Sequence, residues 1–112
     1  MAAQERVLNL LSLSRRANEL VIGQDKIFAA IREGKALVLF AAEDCSENVL
    51  RKLRSSKAGE NLNIYTLKNT DRELLGRSVG VETAQITALP VGSGLAEKII
   101  LILSEDRSDA DE

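Results

Sequence analysis

Seven consecutive apolar residues, Ala36 to Ala42, constrain the fold of this chain more than any other feature of the sequence. The run follows Gly34-Lys35 and ends on two carboxylates, Glu43 and Asp44. An uninterrupted apolar run of this length is typical of a β-strand that is buried on both faces. The chain then leaves the core at the C-terminal edge of that strand, where ligands bind in open α/β sheets. The run therefore predicts a fold class and the edge at which to search for a site.

Helical and strand patterns alternate along the rest of the chain. Apolar spacing predicts helices at 5–17, 24–33 and 47–57, with one more between Thr70 and Gly80 and another after Gly94. Strands are predicted at 19–22, 36–42, 63–67 and 84–89, the last one stopped by Pro90. Ser46 is expected to cap the third helix, and Thr70 with Glu73 matches a capping box. This alternation predicts an α/β domain with helices on both faces of a small sheet.

The composition excludes several classes of function. The chain has no histidine and one cysteine, Cys45, so histidine-based catalysis, a histidine-ligated metal and an intrachain disulfide are all excluded. Aromatic residues make up 3% of the chain, which argues against binding of single strands by base stacking. No apolar stretch approaches the roughly 20 residues of a membrane span. Residues 1–6 do not resemble the start of a signal peptide, and a cytoplasmic protein is expected.

The net charge of -2 is unevenly distributed. Residues 104–112 hold five acidic residues and one basic residue, and this polar segment is predicted to form a disordered tail. The remainder carries 14 basic and 12 acidic residues. A mildly basic body of this kind permits a nucleic-acid partner.

The carboxylates Glu43 and Asp44 are the first candidates for chemistry. A pair of carboxylates can act as acid and base or can hold a divalent cation. Consecutive strand residues point to opposite faces, however, so the two side chains do not converge by strand geometry alone. We expect Asp44 to serve the N-terminus of the next helix instead.

Three further features have a structural explanation that competes with a functional one. Gly92-Ser93-Gly94 lacks the complete phosphate-binding fingerprint and is better explained as a turn into a helix. Cys45 has no histidine partner and is expected to be a small, partly buried residue. A basic cluster is either the solvated face of the third helix or a supplement to a phosphate-binding surface; it comprises Arg51, Lys52, Arg54 and Lys57.

The segment Gly23-Gln24-Asp25-Lys26 lies between a predicted strand and the N-terminus of a predicted helix. Backbone N–H groups are unpaired at such a position, and glycine lets another backbone approach closely. The local pattern by itself favours a tight turn in which Asp25 stabilises the helix dipole.

The order and spacing of several segments resemble the kink-turn-binding ribosomal protein superfamily of the L-seven-Ae and L-thirty-e type, and in particular its small bacterial YlxQ-like members. The resemblance covers residues 7–103. The segments that carry it are Leu10-Leu11-Ser12-Leu13-Ser14-Arg15-Arg16-Ala17, Gly23 with Gly34 eleven positions later, Ala42-Glu43-Asp44, and Leu75-Gly76 with Gly80.

The resemblance implies a three-layer α/β/α sandwich with a four-stranded mixed sheet, formed by one ribosomal-protein-like RNA-binding domain over residues 1–103. It also implies RNA binding without catalysis, to a bent internal loop that contains tandem sheared G·A pairs. Such a widened groove offers base edges that regular A-form RNA hides. The RNA-binding residues that the resemblance assigns are Gly23, Gln24, Asp25, Lys26, Val81, Glu82, Thr83 and Ala84.

The sequence departs from the family pattern at these positions. Members typically carry Asn-Glu where this chain has Asp25-Lys26, and a lysine where it has Ala29. Asp25 can accept a hydrogen bond but cannot donate one, Lys26 reverses a charge, and Ala29 removes a cation. In the second segment Glu82 would repel phosphate, whereas Val81 and Ala84 could pack on a flipped base.

Three classes of function follow. The resemblance favours a non-enzymatic protein that recognises structured, kink-turn-like RNA, either ribosomal or another non-coding RNA. Ribosomal or translation proteins are further candidate partners, and no DNA, membrane, cofactor or metal is expected. The alternative is a protein-interaction module that has kept the fold and lost specific RNA recognition. An enzyme that uses Glu43 and Asp44 lacks any nucleophile–base set.

Overall fold

The structure is a computed structural model and describes residues 2–56 and 62–110. In these residues five helices alternate with four strands. The elements are α1 (Ala3–Arg16), β1 (Val21–Ile22), α2 (Gln24–Arg32), β2 (Leu37–Ala42), α3 (Glu47–Arg54), β3 (Asn63–Leu67), α4 (Arg72–Ser78), β4 (Ile86–Pro90) and α5 (Gly94–Ala110). None of the helices in the described part of the chain is long and apolar enough to span a membrane.

The four strands form one mixed sheet in the order β1-β4-β2-β3. Strand β2 pairs with β3 in parallel, with Leu39 beside Ile64, and with β4 in antiparallel, with Leu39 beside Ala88. Strand β1 pairs antiparallel with β4 at the edge of the sheet. All six residues of β2 are buried, as the apolar run predicts.

Alternate side chains of β2 enter two separate cores, because successive strand residues point to opposite faces. Phe40 packs in one core among residues of α1, α4 and α5, and Leu39 packs in the other among residues of α2 and α3. Both side chains are fully buried, and each contributes about 1.5–3 kcal/mol of stabilisation. The predicted three-layer α/β/α sandwich with a four-stranded mixed sheet is therefore confirmed.

Strand β1 is shorter than the predicted segment 19–22 because Glu19 is still bonded to the C-terminal turn of α1. Asn18 adopts a left-handed conformation with φ +64°. The backbone N–H groups of Asn18 and Glu19 donate to the carbonyls of Arg15 and Ser14. These bonds close the C-terminus of α1 and leave only Val21 and Ile22 to pair with β4.

Strand β4 begins at Ile86, two residues later than predicted, and ends at Pro90, one residue later than predicted. Ala84 is held by α4 instead, because its backbone N–H donates to the carbonyl of Arg72. Pro90 is the last residue of the strand, where it pairs with Leu37. A proline is tolerated there because the next hydrogen bond comes from the N–H of Val91, which donates to the carbonyl of Ala36 at 3.0 Å, and not from residue 90.

Helix α4 begins one residue later than the predicted capping box implies. Asp71 is the N-cap, and its carboxylate accepts a hydrogen bond from the backbone N–H of Leu74 at 2.8 Å. Thr70 is buried, and its hydroxyl donates to the carbonyl of Lys68 at 3.0 Å. The capping prediction for Thr70 was therefore wrong, because its side chain is buried and bonded to Lys68, and Asp71 caps the helix instead.

Two predicted segments differ at their boundaries. Helix α3 ends at Arg54, and Lys57 and the predicted turn at 59–61 lie outside the described residues. Helix α5 continues to Ala110, where the sequence predicts a disordered tail from Ser104. Ile99 and Ile102 anchor this helix in the core, and propagation of an anchored helix needs only one further hydrogen bond per residue.

Candidate nucleic-acid interface

Gly23 joins β1 to α2 in a backbone conformation that favours glycine. Its φ is +91° and its ψ is 151°, a region that L-residues with a side chain rarely adopt. Its N–H donates to the carbonyl of Ile86 at 3.0 Å, and its carbonyl accepts from the N–H of Ile27 at 3.1 Å. Gly23 is thus both the last residue tied to the sheet and the N-cap of α2.

The N-terminus of α2 carries no side-chain cap. Helix α3 differs, since the Ser46 hydroxyl accepts from the N–H of Asn48 at 3.1 Å, and the Asp71 carboxylate serves α4 in the same way. The N–H groups of the first turn of α2 consequently have no side-chain acceptor in the described structure. Free N–H groups at the positive end of a helix dipole form a site for anions.

Asp25 and Lys26 are exposed in this first turn, whereas Gln24 is half-buried. The described part of the chain contains two ion pairs, Lys35–Glu33 and Arg72–Asp44, and neither involves Lys26. Ala29 lies one turn further along α2 and is half-buried. Lys26 is therefore the cation that this turn presents to solvent.

The segment 81–84 follows α4 and is fastened to it at both ends. The N–H of Val81 donates to the carbonyl of Gly76, and that of Ala84 donates to the carbonyl of Arg72, both at 2.9 Å. Between these bonds the backbones nearly touch: a Cβ placed on Gly76 would lie 2.5 Å from the Cα of Thr83. Only glycine at position 76 permits this approach.

Backbone pairing brings the two segments to one edge of the sheet. Gly23 is bonded to Ile86, and Ile86 follows the second segment with only Gln85 between them. Gln85 also links this edge to β2, because its carbonyl accepts from the N–H of Ala42 at 2.9 Å. We call residues 23–26 and 81–84 the rim. The rim lies at the C-terminal edge of β2, which the apolar run indicates as the edge to search.

Gln85 has a structural role that the sequence did not lead us to expect. Its side-chain carbonyl accepts a hydrogen bond from the backbone N–H of Ser46 at 2.8 Å, across 39 residues of sequence. Gln85 thereby connects the start of α3 to the end of the second rim segment. No local pattern signals this bond, because it depends on how β2 and β4 pair.

The residues of the second rim segment differ in their accessibility. Glu82 and Thr83 are exposed and Val81 is half-buried. Ala84 is 5% exposed and packs in the core formed with α1, α4 and α5. This burial does not agree with the expected packing of Ala84 on a flipped base, because its methyl group packs in the core.

Glu43 and Asp44 both bind the connection between β3 and α4. The Glu43 carboxylate accepts from the N–H of Asn69 at 3.0 Å. The Asp44 carboxylate accepts from the N–H of Arg72 at 2.9 Å and pairs with its guanidinium at 3.3 Å. Asp44 thus binds the first turn of α4, whereas its position in the sequence predicts that it serves the N-terminus of α3. Both carboxylates are satisfied by structural partners.

A structural explanation also holds for Cys45 and for Ser93. Burial raises the pKa of the Cys45 thiol above its ordinary value, and the positive charge of Arg72 offsets part of this effect. A thiol with a raised pKa is a weak nucleophile near neutral pH. Ser93 lies in the turn before α5, where its hydroxyl accepts from the N–H of Ala96 at 3.3 Å.

Comparison of the sequence with known families and proteins gives consistent matches. The sequence model of the ribosomal protein L7Ae/L30e/S12e/Gadd45 family matches residues 5–100. The RNA-binding protein YlxQ of Bacillus subtilis (strain 168) is 33% identical over 97 residues, which cover 84% of this chain and 91% of that protein. The large ribosomal subunit protein eL8 of Halobacterium salinarum is 30% identical over 107 residues, which cover 95% of this chain and 88% of that protein.

Solved structures match the fold at lower sequence identity. A protein with unknown function from Bacillus halodurans C superposes with a TM-score of 0.74 at 22% identity, over 88% of this chain and 96% of that one. The Giardia lamblia 15.5kD RNA binding protein superposes with a TM-score of 0.66 at 16% identity, over 95% of this chain and 88% of that one. At these identities the matches establish a shared fold.

Substitution of Gly76 tests the close approach of α4 to the second rim segment. Alanine at an ordinary helix position is more favourable than glycine by about 1 kcal/mol. Gly76→Ala should instead lower the free energy of unfolding by about 1–3 kcal/mol, because the new methyl group forces Thr83 away from α4. Thermal and denaturant unfolding measure the effect. Gly94→Ala is the matched control, since a Cβ there meets nothing within 4 Å. Equal stabilities of the two variants would contradict the predicted approach.

Proposed function

Because the chain belongs to the ribosomal protein L7Ae/L30e/S12e/Gadd45 family, we propose that it is a non-enzymatic protein that binds structured, kink-turn-like RNA. The family match over residues 5–100 confirms the resemblance found in the sequence. Two of its relatives are named as an RNA-binding protein and a large ribosomal subunit protein. The RNA partner that we propose is ribosomal or another non-coding RNA, and the proposed location is the cytoplasm.

One observation supports this function above the others: the uncapped N-terminus of α2 lies at the same edge of the sheet as the exposed residues of the second rim segment. Free backbone N–H groups suit phosphate oxygens, and exposed polar side chains suit base edges. The two segments approach the ligand from neighbouring positions on one edge of the sheet. A folded RNA with an opened groove offers both kinds of group side by side.

We propose separate roles for the residues of the first rim segment. Gly23 gives the RNA backbone close access, and the adjacent N–H groups, including that of Gln24, bind phosphate. The Asp25 carboxylate can accept hydrogen bonds from the N–H groups of an exposed guanine. Lys26 can donate to a phosphate or to guanine O6 and N7. The exposure of Asp25 and Lys26 supports these roles.

The second rim segment is proposed to pack against the same RNA. Val81 offers an apolar surface to an unstacked base, and Thr83 offers a hydroxyl group. Glu82 carries a negative charge beside these residues and must therefore avoid phosphate. Ala84 is excluded from the proposed contact surface because it belongs to the core.

A comparison of two RNAs tests the specificity. One RNA carries a kink-turn with tandem G·A pairs, and the control RNA replaces those pairs with Watson–Crick pairs. We expect the protein to bind the kink-turn RNA at least tenfold more tightly at moderate salt, since good base contacts each contribute about 1–3 kcal/mol. A gel-shift titration measures both dissociation constants. Equal and weak binding to both RNAs would contradict kink-turn recognition and favour the protein-interaction alternative.

The role of Lys26 is tested by the salt dependence of binding. If Lys26 contacts a phosphate, Lys26→Ala should weaken binding and reduce the slope of log K against log salt by about 1. Lys98→Ala is the matched control, because Lys98 is an exposed lysine on α5, away from the rim. A slope that stays at the wild-type value in Lys26→Ala would reject the phosphate contact.

A further inference from the structure

The guanidinium of Arg15 lies directly against the backbone of Gly80. A Cβ placed on Gly80 would overlap with Nη1 of Arg15 and would lie 3.1 Å from its Cζ. Gly80 has a φ of +82° and is exposed. The backbone conformation at position 80 favours glycine, and the absence of a side chain there leaves room for the Arg15 guanidinium.

The sequence places Arg15 at this position through the packing of α1 on α4. Arg15 belongs to the last turn of α1, which ends where Asn18 adopts its left-handed conformation. Gly80 ends the turn after α4, and its N–H donates to the carbonyl of Arg77 at 3.2 Å. The next residue is Val81, so the Arg15 guanidinium lies beside the start of the second rim segment.

Arg15 has no protein partner for its charge among the side chains that the structure describes, those of residues 2–56 and 62–106. Neither of the two ion pairs among these side chains includes Arg15, and no oxygen described there accepts a hydrogen bond from its guanidinium. The side chain is exposed. A guanidinium has five N–H donors in a fixed planar fork that matches phosphate oxygens. Its donors are therefore available to a ligand that lies over the rim.

The charges of the rim show why a cation at this place matters. Ala29 offers no charge, and Glu82 adds a negative charge two residues after Gly80. Lys26 lies in the first rim segment, so the second segment has no cation of its own. Arg15 places a positive charge beside that segment from a different helix.

We propose that Arg15 is a further RNA-contacting residue, whose guanidinium binds a backbone phosphate of the strand that crosses the connection between α4 and β4. This inference rests on the proposed function and extends its contact surface from the rim to the last turn of α1. The phosphate contact strengthens binding to any RNA that occupies the rim, and base contacts supply the preference for the kink-turn.

Arg32 provides a matched control for Arg15. Both arginines are exposed, and each lies in the last turn of its helix, where a cation interacts favourably with the helix dipole. Arg32 is at the end of α2 opposite Gly23. Arg15→Gln and Arg32→Gln therefore remove the same charge from equivalent helix positions, and only the first removes it from the rim.

The experiment measures dissociation constants for the kink-turn RNA and its Watson–Crick control over a series of salt concentrations. We expect Arg15→Gln to weaken binding to both RNAs on the order of tenfold and to reduce the salt slope by about 1, whereas Arg32→Gln leaves both quantities at their wild-type values. The ratio of the two affinities should be retained. Arg15→Lys should keep the wild-type slope, because it keeps the charge. Thermal unfolding of each variant confirms that it is folded.

Two results would overturn the inference. One is an Arg15→Gln variant that binds with the affinity and salt slope of Arg32→Gln. The other is weaker binding with an unchanged slope, which would make Arg15 a positioning residue for the turn at Gly80. Both results leave the wild-type preference for the kink-turn intact. Loss of that preference in the wild-type protein is a separate outcome, and it would contradict the proposed function itself.

Discussion

Burial of β2 on both faces is the constraint on which the rest of the structure depends. Leu39 and Phe40 are fully buried on opposite sides of the sheet, so two helical layers are required to cover one strand. Pairing of β2 with β4 places Gln85 beside Ala42, and pairing of β4 with β1 places Ile86 beside Gly23. The rim is therefore assembled by backbone hydrogen bonds that run across the sheet from β2 through β4 to Gly23. Its geometry is set by the sheet and not by the flexibility of two loops.

The rim combines rigid backbone with accessible polar groups. Gly76 lets Thr83 approach α4 closely, and Gly23 lets the first turn of α2 begin directly at the sheet. The exposed charges around these two glycines are of both signs: Lys26 and Arg15 are positive, and Asp25 and Glu82 are negative. A surface of this kind gives weak attraction at long range and depends on correctly placed contacts. It suits a folded RNA with a defined backbone path better than it suits unstructured nucleic acid.

Some of this arrangement could be predicted from the sequence, because it follows from local patterns. The apolar run 36–42 identifies β2, helical spacing identifies the helices, and Ser46 caps α3 as expected. The positions of Asp44, Gln85 and Ala84 could not be predicted, because each depends on contacts between segments far apart in the chain. Asp44 illustrates this point. Its sequence neighbour is α3, but the parallel pairing of β2 with β3 brings it to the first residue of α4.

We propose that RNA binds across the rim and the last turn of α1. An NMR titration of ¹⁵N-labelled protein with kink-turn RNA, in which backbone amide and arginine Nε chemical shifts are recorded, tests this binding surface. We expect the largest shifts at residues 24–26, at residues 80–83 and at Nε of Arg15. Shifts concentrated instead on the edge strand β3 or on α5, with the rim unchanged, would contradict it.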